Sequence, residues 1–463
     1  MHSVIPLRNY GKTDAAFEKG RYPRLPIAIR GWLHSANRMR HGSFQRDEVD
    51  LHYLEWHPEA TARPAVLLLH GLGSNATFWA RTAAHLGGRR LVALDQRAHG
   101  PSEAPAEGYE PERLAADAAA LVESLELGRV VVAGHSWGGS IALQLAADRP
   151  DLVSGLAIVD GPIRPWTETG LSWEDAEKFM QPPLPVYADL ESAVAERKAL
   201  LKDHWADDLV EFVQAGLVPE GAGLRLTLTA PIRLQILRSM FFQPYDVLWA
   251  QVRVPVLLAL ARGSGERTFT EFKQKSAKLV GEQVPTAVTH WFESGHDIPI
   301  ERPAEIAAEI ERTCLRAGWA DVTGEVLALD GDWTRQTGYQ EWSSRDLLLH
   351  LTSTASALPA VASSRLDPDS DGTRSEPFDS DRWNASQLRR RQEQSPDDLK
   401  AELDKAGTEM DAVLAELATD EVVGAGAYAG ETAAAAMRYM IGHQREHLDE
   451  LTRTLGAASV GSS

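Results

Sequence analysis

The sequence predicts two units in series: a mostly parallel α/β sheet with helices on both faces, then an all-α four-helix bundle. Three observations carry this. Apolar, β-branched runs alternate with helical periods from about residue 45 to 161 and resume at 254–260 and 286–292, the alternation that builds parallel sheets. Inside that stretch a buried-strand pattern at 129–133 runs into Gly134-His135-Ser136-Trp137-Gly138 and straight on into a helical run at 139–146. From about residue 318 the β-rich runs stop, and only helical periods follow, around 319–330, 343–362, 395–417 and 430–455, as a bundle requires.

The chain begins with a basic arm, residues 1–44. Residues 1–46 hold nine Arg or Lys and two acids. The arm lacks the continuous apolar stretch of a signal peptide, and its cations are expected to pack on the acidic body. The sheet unit spans 45–317. Ala65–Leu69 reads as a strand entering His70-Gly71-Leu72-Gly73, and Leu91–Leu94 as one entering Asp95–Ser102. The Gly134–Gly138 pentapeptide, lying between strand and helix, meets the requirements of a nucleophile elbow. Its glycines permit a turn sharp enough to lift Ser136 above the sheet. An insertion at about 163–250 has helical periods, clearest at Glu191–Leu201, and is rich in aromatics. Two acids follow the serine: Asp160, at the end of the strand Gly155–Val159, and Glu266, after the strand Val256–Leu260. In the order serine, acid, histidine, either can orient a downstream histidine.

The second unit, 318–463, carries three notable histidines. His443 and His447 are four apart on one helix and therefore share a face. That spacing suits two ligands on a single metal, with His350 on another helix as the third. Three neutral ligands leave an open position for water or a thiolate. Ser395-Pro396 is a helix start, Ser at the N-cap and Pro in the first turn.

Residues 45–317 resemble the α/β-hydrolase fold serine hydrolases. His70-Gly71-Leu72-Gly73 resembles their H-G-x-x motif, which implies an oxyanion hole from the N–H groups of Leu72 and Trp137. Asp95–Ser102 resembles their D-x-R-G-x-G-x-S loop, with Ala98 where a glycine is usual. Phe292–His296 with Glu301–Glu305 resembles their catalytic-histidine loop and last helix, which implies His296 as the base. Asp160-Gly161-Pro162 resembles the lipases that take the acid from the earlier strand. Family members more commonly carry an Asp near the place of Glu266, so both acids stay open, Asp160 preferred. The insertion occupies the position of the family's cap, which implies a cover over the site with a few rings lining an apolar pocket.

The bundle resembles the DinB-like proteins and the mycothiol-dependent maleylpyruvate isomerase N-terminal domain. The matching residues are Trp342, Asp346 and His350 (W-x-x-x-D-x-x-x-H), Phe378–Asn384, and the terminal H-x-x-x-H. The resemblance implies a divalent metal, zinc or nickel, on His350, His443 and His447, and a low-molecular-weight thiol as partner in some members.

Composition narrows the classes. The 463 residues are 43% hydrophobic and 24% charged, as in globular proteins. A net charge of −19 argues against nucleic-acid binding. The single cysteine, Cys314, excludes an intrachain disulfide and fits a reducing, cytoplasmic setting. No apolar run is long enough to span a membrane. The function expected is hydrolysis of an ester, lactone, thioester or activated C–C bond of a small apolar or aromatic metabolite. The alternatives are a thiol-dependent transferase or isomerase centred on the bundle metal, and a ligand-binding protein without turnover.

Overall fold

The computed structural model describes residues 39–180, 184–263, 267–339, 342–365, 380–421 and 431–456. Glu266 and nearly all of the basic arm lie outside the described residues. The chain divides into two compact units, 1–310 and 311–463.

The first unit is an eight-stranded sheet in the order β1-β2-β4-β3-β5-β6-β10-β11. Its strands are β1 Arg40–Arg46, β2 Val49–Trp56, β3 Ala62–Leu69, β4 Arg89–Leu94, β5 Val130–His135, β6 Val153–Val159, β10 Val256–Ala261 and β11 Ala287–Phe292. β1 and β2 run antiparallel at one edge, and β4, β3, β5, β6, β10 and β11 run parallel to one another. The central strands are fully covered, so their sequences read as unbroken apolar runs rather than alternating ones. Leu67, Leu68, Leu69, Val130, Val131 and Val132 are all completely buried, each contributing ~1.5–3 kcal/mol.

Helix α1 (Pro111–Ser124) and helix α2 (Trp137–Asp148) pack together. α2 starts directly after β5, leaving Ser136 alone between them with φ 52° and ψ −122°. A Cβ on Gly138 would lie 2.4 Å from the Leu69 carbonyl oxygen, so only glycine lets the helix start this close to β3.

The insertion between β6 and β10 holds α3 (Trp173–Met180), α4 (Leu190–Leu201) and α5 (Ala230–Phe242). It also holds a three-stranded antiparallel sheet of β7 (Val186–Tyr187), β8 (Leu217–Glu220) and β9 (Gly223–Leu226), which the helical reading of this segment missed. The cap is pinned at two ends. Asn75 donates to the Phe212 carbonyl at 2.9 Å. Gln243 donates to the Ser140 carbonyl at 3.0 Å, and Ser140 and Tyr245 share a 2.8 Å hydroxyl pair. α6 (Arg267–Gln283) lies between β10 and β11, and α7 runs Pro303–Ala328.

The second unit is helical. It comprises the later turns of α7, then α8 (Ser344–Arg365), α9 (Ser380–Arg390), α10 (Pro396–Ala415) and α11 (Ala433–Gly456). α9 is additional to the four predicted helices. Leu347, Leu351, Leu399, Leu403, Leu448 and Leu451 are among its core residues. Ser395 caps α10 in a capping box with Asp398, a device that satisfies two otherwise orphaned N–H groups. Among the described residues, no helix is long and apolar enough to cross a membrane.

Candidate active site

Ser136 stands at the C-terminal edge of the parallel strands, where loops from neighbouring strands converge. Its left-handed backbone is a strained state for a non-glycine residue, held by the packing around it. The His70–Gly73 loop presses against it: a Cβ on Gly71 would come within 3.1 Å of the Ser136 Cβ and 2.9 Å of the His135 Nδ1. Trp137 opens α2, so its N–H precedes the first intrahelical bond and has no acceptor in the helix. Two buried histidines fix the loop facing it. His70 donates from Nδ1 to the Gly71 carbonyl at 2.8 Å and accepts the Gln96 N–H at Nε2, 3.1 Å. His99 donates from Nδ1 to the Arg97 carbonyl at 2.8 Å and accepts the Gly73 N–H at 3.0 Å. Burial drives both imidazoles below their ordinary pKa, His99 to about 4, so both stay neutral and can accept. The Asp95–Ser102 loop is structural. Asp95 accepts the Ala76 N–H at 2.7 Å, and Arg97 forms a buried bidentate pair with Asp117. Ala98 takes the glycine-like conformation of its position, φ 63°.

The structure brings His296 and Asp160 together. His296 Nδ1 lies 2.7 Å from Asp160 Oδ2. Asp160 is buried, and its other oxygen accepts the Ala261 N–H at 2.9 Å and the Lys273 ammonium at 2.5 Å. Burial alone would raise the Asp160 pKa. The His296 hydrogen bond and the Lys273 charge outweigh it and hold the carboxyl at about 2. Burial would likewise lower His296, but its hydrogen bond to ionised Asp160 leaves it above the ordinary 6.5. Among the described residues, no hydrogen bond joins Ser136 Oγ to His296, a bond that is often long before substrate binds.

Two supporting residues had no signal that set them apart in the sequence. Lys273, on α6, is buried and also donates to the Ala261 carbonyl at 3.1 Å. His135 donates from Nε2 to the His296 carbonyl at 2.9 Å and stacks on Phe78 with ring centres 4.6 Å apart. Burial, with the neighbouring His296, lowers the His135 pKa and keeps it a neutral donor.

A cavity of about 350 Å³ opens beside His296, at the small-metabolite end of ligand pockets. Its wall is mixed: Arg197, Lys202, His204, Asp297 and Glu301 stand beside Leu200 and Leu201. The cap aromatics expected to line an apolar pocket are not in this wall. Trp173, Phe241 and Phe242 pack on one another with ring centres 5.0–6.0 Å apart. Trp249 is buried with its N–H on the Ile163 carbonyl. Two other cap rings, Tyr187 and Phe212, line a second, narrow crevice beside Gly73 and Asn75.

In the bundle, one donor nitrogen from each of His350, His443 and His447 falls within 4.8 Å of the others. The Nε2 atoms of His443 and His447 are 3.1 Å apart, near the roughly 3.3 Å separating two nitrogens on one tetrahedral zinc. His350 donates from Nδ1 to Asn384 Oδ1 at 3.2 Å, and its Nε2 is buried with no hydrogen-bond partner among the described residues. A carbonyl oxygen on the distal N–H is the usual way to orient a metal-ligating histidine. Burial and the neighbouring imidazoles lower His350 to about 4 and His447 to about 3, leaving neutral nitrogens suited to a divalent metal. Asp346 takes no part. It accepts the N–H and hydroxyl of Ser343, at 3.0 and 2.7 Å, at the start of α8.

Comparison with known proteins agrees with this division. Residues 66–309 match the alpha/beta hydrolase family, and residues 315–448 match the mycothiol maleylpyruvate isomerase N-terminal domain. Lipase LipV of Mycobacterium tuberculosis is 29% identical over 273 residues, 57% of this chain and 97% of that protein. The 2-(acetamidomethylene)succinate hydrolase of Mesorhizobium japonicum is 28% identical over 183 residues, 39% of this chain and 65% of the relative. A solved structure of E-2-(acetamidomethylene)succinate hydrolase shares the fold, with a TM-score of 0.51, 22% identity, and coverage of 60% of this chain and 99% of that one. The chain belongs to the alpha/beta hydrolase family and carries a mycothiol maleylpyruvate isomerase N-terminal domain behind its hydrolase fold.

Proposed function

We propose that this protein is a serine hydrolase cleaving an ester, lactone, thioester or activated C–C bond of a small metabolite, with Ser136, His296 and Asp160 as its triad. One observation carries the reading: the 2.7 Å bond between His296 and buried Asp160, next to a serine held at φ 52° between strand and helix. In the first step the Ser136 Oγ attacks the carbonyl carbon and its proton passes to His296 Nε2. Asp160 keeps Nδ1 protonated and stabilises the imidazolium. The developing oxyanion takes the N–H groups of Leu72 and Trp137, each worth roughly 3 kcal/mol. The carbonyl–leaving-group bond then breaks, and the leaving group takes the proton from His296. Water, deprotonated by the same histidine, attacks the acyl-enzyme and releases the acid and free Ser136. Relatives named as a lipase and a succinate-derivative hydrolase support hydrolytic chemistry.

The test is hydrolysis of p-nitrophenyl butyrate by the full chain and by Ser136→Ala and His296→Ala. Turnover lost in both variants supports the triad. Turnover retained in purified Ser136→Ala would sink it.

The bundle supports a second reading: His350, His443 and His447 hold a divalent metal, zinc or nickel. The buried Nε2 of His350, without a hydrogen-bond partner among the described residues, carries it. A metal there would supply Lewis acidity and an open position that lowers the pKa of a bound water or thiol. A low-molecular-weight thiol is then the partner, and the bundle serves as a thiol-dependent or regulatory module. Elemental analysis of the full chain after zinc loading and desalting tests it: about one metal per chain supports the site, and none counts against it.

A further inference from the structure

We propose that Arg197, on cap helix α4, recognises a carboxylate on the substrate, so that the hydrolase acts on anionic acyl compounds. This rests on the hydrolase reading above. Arg197 lines the cavity that contains His296 and also the narrow crevice that contains Gly73 and Asn75 of the oxyanion-side loop; it is common to both. It therefore lies between the cavity beside His296 and the crevice beside Gly73 and Asn75.

Its bonding separates it from neighbouring arginines. Arg81 holds Asp208 in a bidentate pair, Arg164 holds Glu168, and Arg225 holds Glu220. Among the described residues, Arg197 has no carboxylate partner. Its guanidinium lies 5.5 Å over the face of Phe212, which fixes the fork without using its donors. A half-buried guanidinium with free donors in a small cavity is matched by a planar carboxylate, which it can bind with two parallel bonds.

Two further observations point the same way. Lys202, at the end of α4, adds a second cation to the cavity wall and adopts φ 49° and ψ −117°. Strain of this kind in a non-glycine residue gathers at ligand sites. The wall's acids are Asp203, Asp297 and Glu301; Glu301 accepts the Gly295 N–H at 2.7 Å and faces His204 at 3.6 Å, and Asp297 faces His135 Nε2 at 3.9 Å, so two of the three face a partner. The chain's net charge of −19 repels anions at long range, so selecting an anionic substrate requires local cations such as these.

The test compares two matched ester pairs under saturating and subsaturating conditions: monomethyl adipate against dimethyl adipate, and 4-carboxyphenyl butyrate against phenyl butyrate. The expected result is a higher kcat/KM for the carboxylate member of at least one pair. Arg197→Gln lowers that carboxylate-to-neutral ratio by about tenfold or more, as expected for a charge-assisted bond, and Arg197→Lys restores part of it. Circular dichroism establishes that the variants are folded. A preference for the neutral ester in both pairs, or a ratio unmoved by Arg197→Gln and by Arg197→Glu, overturns the proposal. Failure of the underlying hydrolase reading looks different: no ester of either kind is turned over, and Ser136 takes no fluorophosphonate label.

Discussion

Replacing Lys273 with Met removes a buried cation from behind the candidate triad and should move the pH dependence of catalysis. Lys273 Nζ lies 2.5 Å from Asp160 Oδ1, and His296 Nδ1 lies 2.7 Å from Oδ2 of the same carboxylate. The ammonium and the imidazolium are then roughly 6 Å apart, and at an effective dielectric of about 20 they repel by ~2.8 kcal/mol, or about 2 pKa units. The imidazole is half exposed, and solvent screening reduces the expected shift to about 1 unit. The sign follows from the charges. Lys273 opposes protonation of His296, so its loss raises the His296 pKa further above 6.5. Activity needs neutral His296, so the acid limb of kcat/KM moves to higher pH, and below the limb the variant loses about tenfold relative to the parent. Lys273→Arg, which keeps the charge, should leave the limb near its original position. The assay is kcat/KM for p-nitrophenyl butyrate from pH 5 to 9. An acid limb in folded Lys273→Met that stays in place, or moves down, would refute the electrostatic role.

Other expectations follow from the same geometry. Asp160→Asn should lower kcat by roughly 10³–10⁴, because Nδ1 loses the acceptor that holds its tautomer, whereas Glu266→Gln should stay near the parent; steady-state kinetics showing the reverse ranking would move the acid to Glu266. Gly138→Ala would set a Cβ 2.4 Å from the Leu69 carbonyl oxygen, and the clash should cost several kcal/mol in a core that cannot yield; an unchanged urea midpoint would show that the elbow relaxes. His447→Ala should abolish stoichiometric zinc retention measured by elemental analysis while leaving p-nitrophenyl butyrate turnover intact, and undiminished metal content would remove His447 from the ligand set.

Much of the fold was legible because its sheet is buried on both faces. The runs at 65–69, 130–133 and 256–260 could be nothing but covered strands once helices alternated with them. Ser136 was legible because an elbow is a local device: strand, two glycines and helix lie within a dozen residues. The partner of His296 was narrowed to two acids, since pairing depends on which strand lies beside which. Lys273 carried no signal at all. On an amphipathic helix it reads as a solvated lysine, and the carboxylate it meets is 113 residues away in the chain. The small cap sheet was missed because its strands are two to four residues long, too short for alternation to register. Its signal was the Gly221-Ala222-Gly223 turn, with Gly221 at φ 57°. Composition shows how many rings a cap holds, but not which pack on one another, as Trp173 and Phe241 do, and which line a crevice, as Tyr187 and Phe212 do. In the bundle the i, i+4 histidine pair was plain, whereas Asp346 belonged to a family motif yet serves as a helix cap.

The most direct test of the central claim, that Ser136 is an activated nucleophile, is mass spectrometry of the intact chain after reaction with a fluorophosphonate, followed by mapping of the modified peptide. The account predicts a single adduct on the peptide containing Gly134–Gly138, absent in Ser136→Ala and slowed in His296→Ala. A folded protein that takes no label, or one in which the label persists in Ser136→Ala, would contradict it.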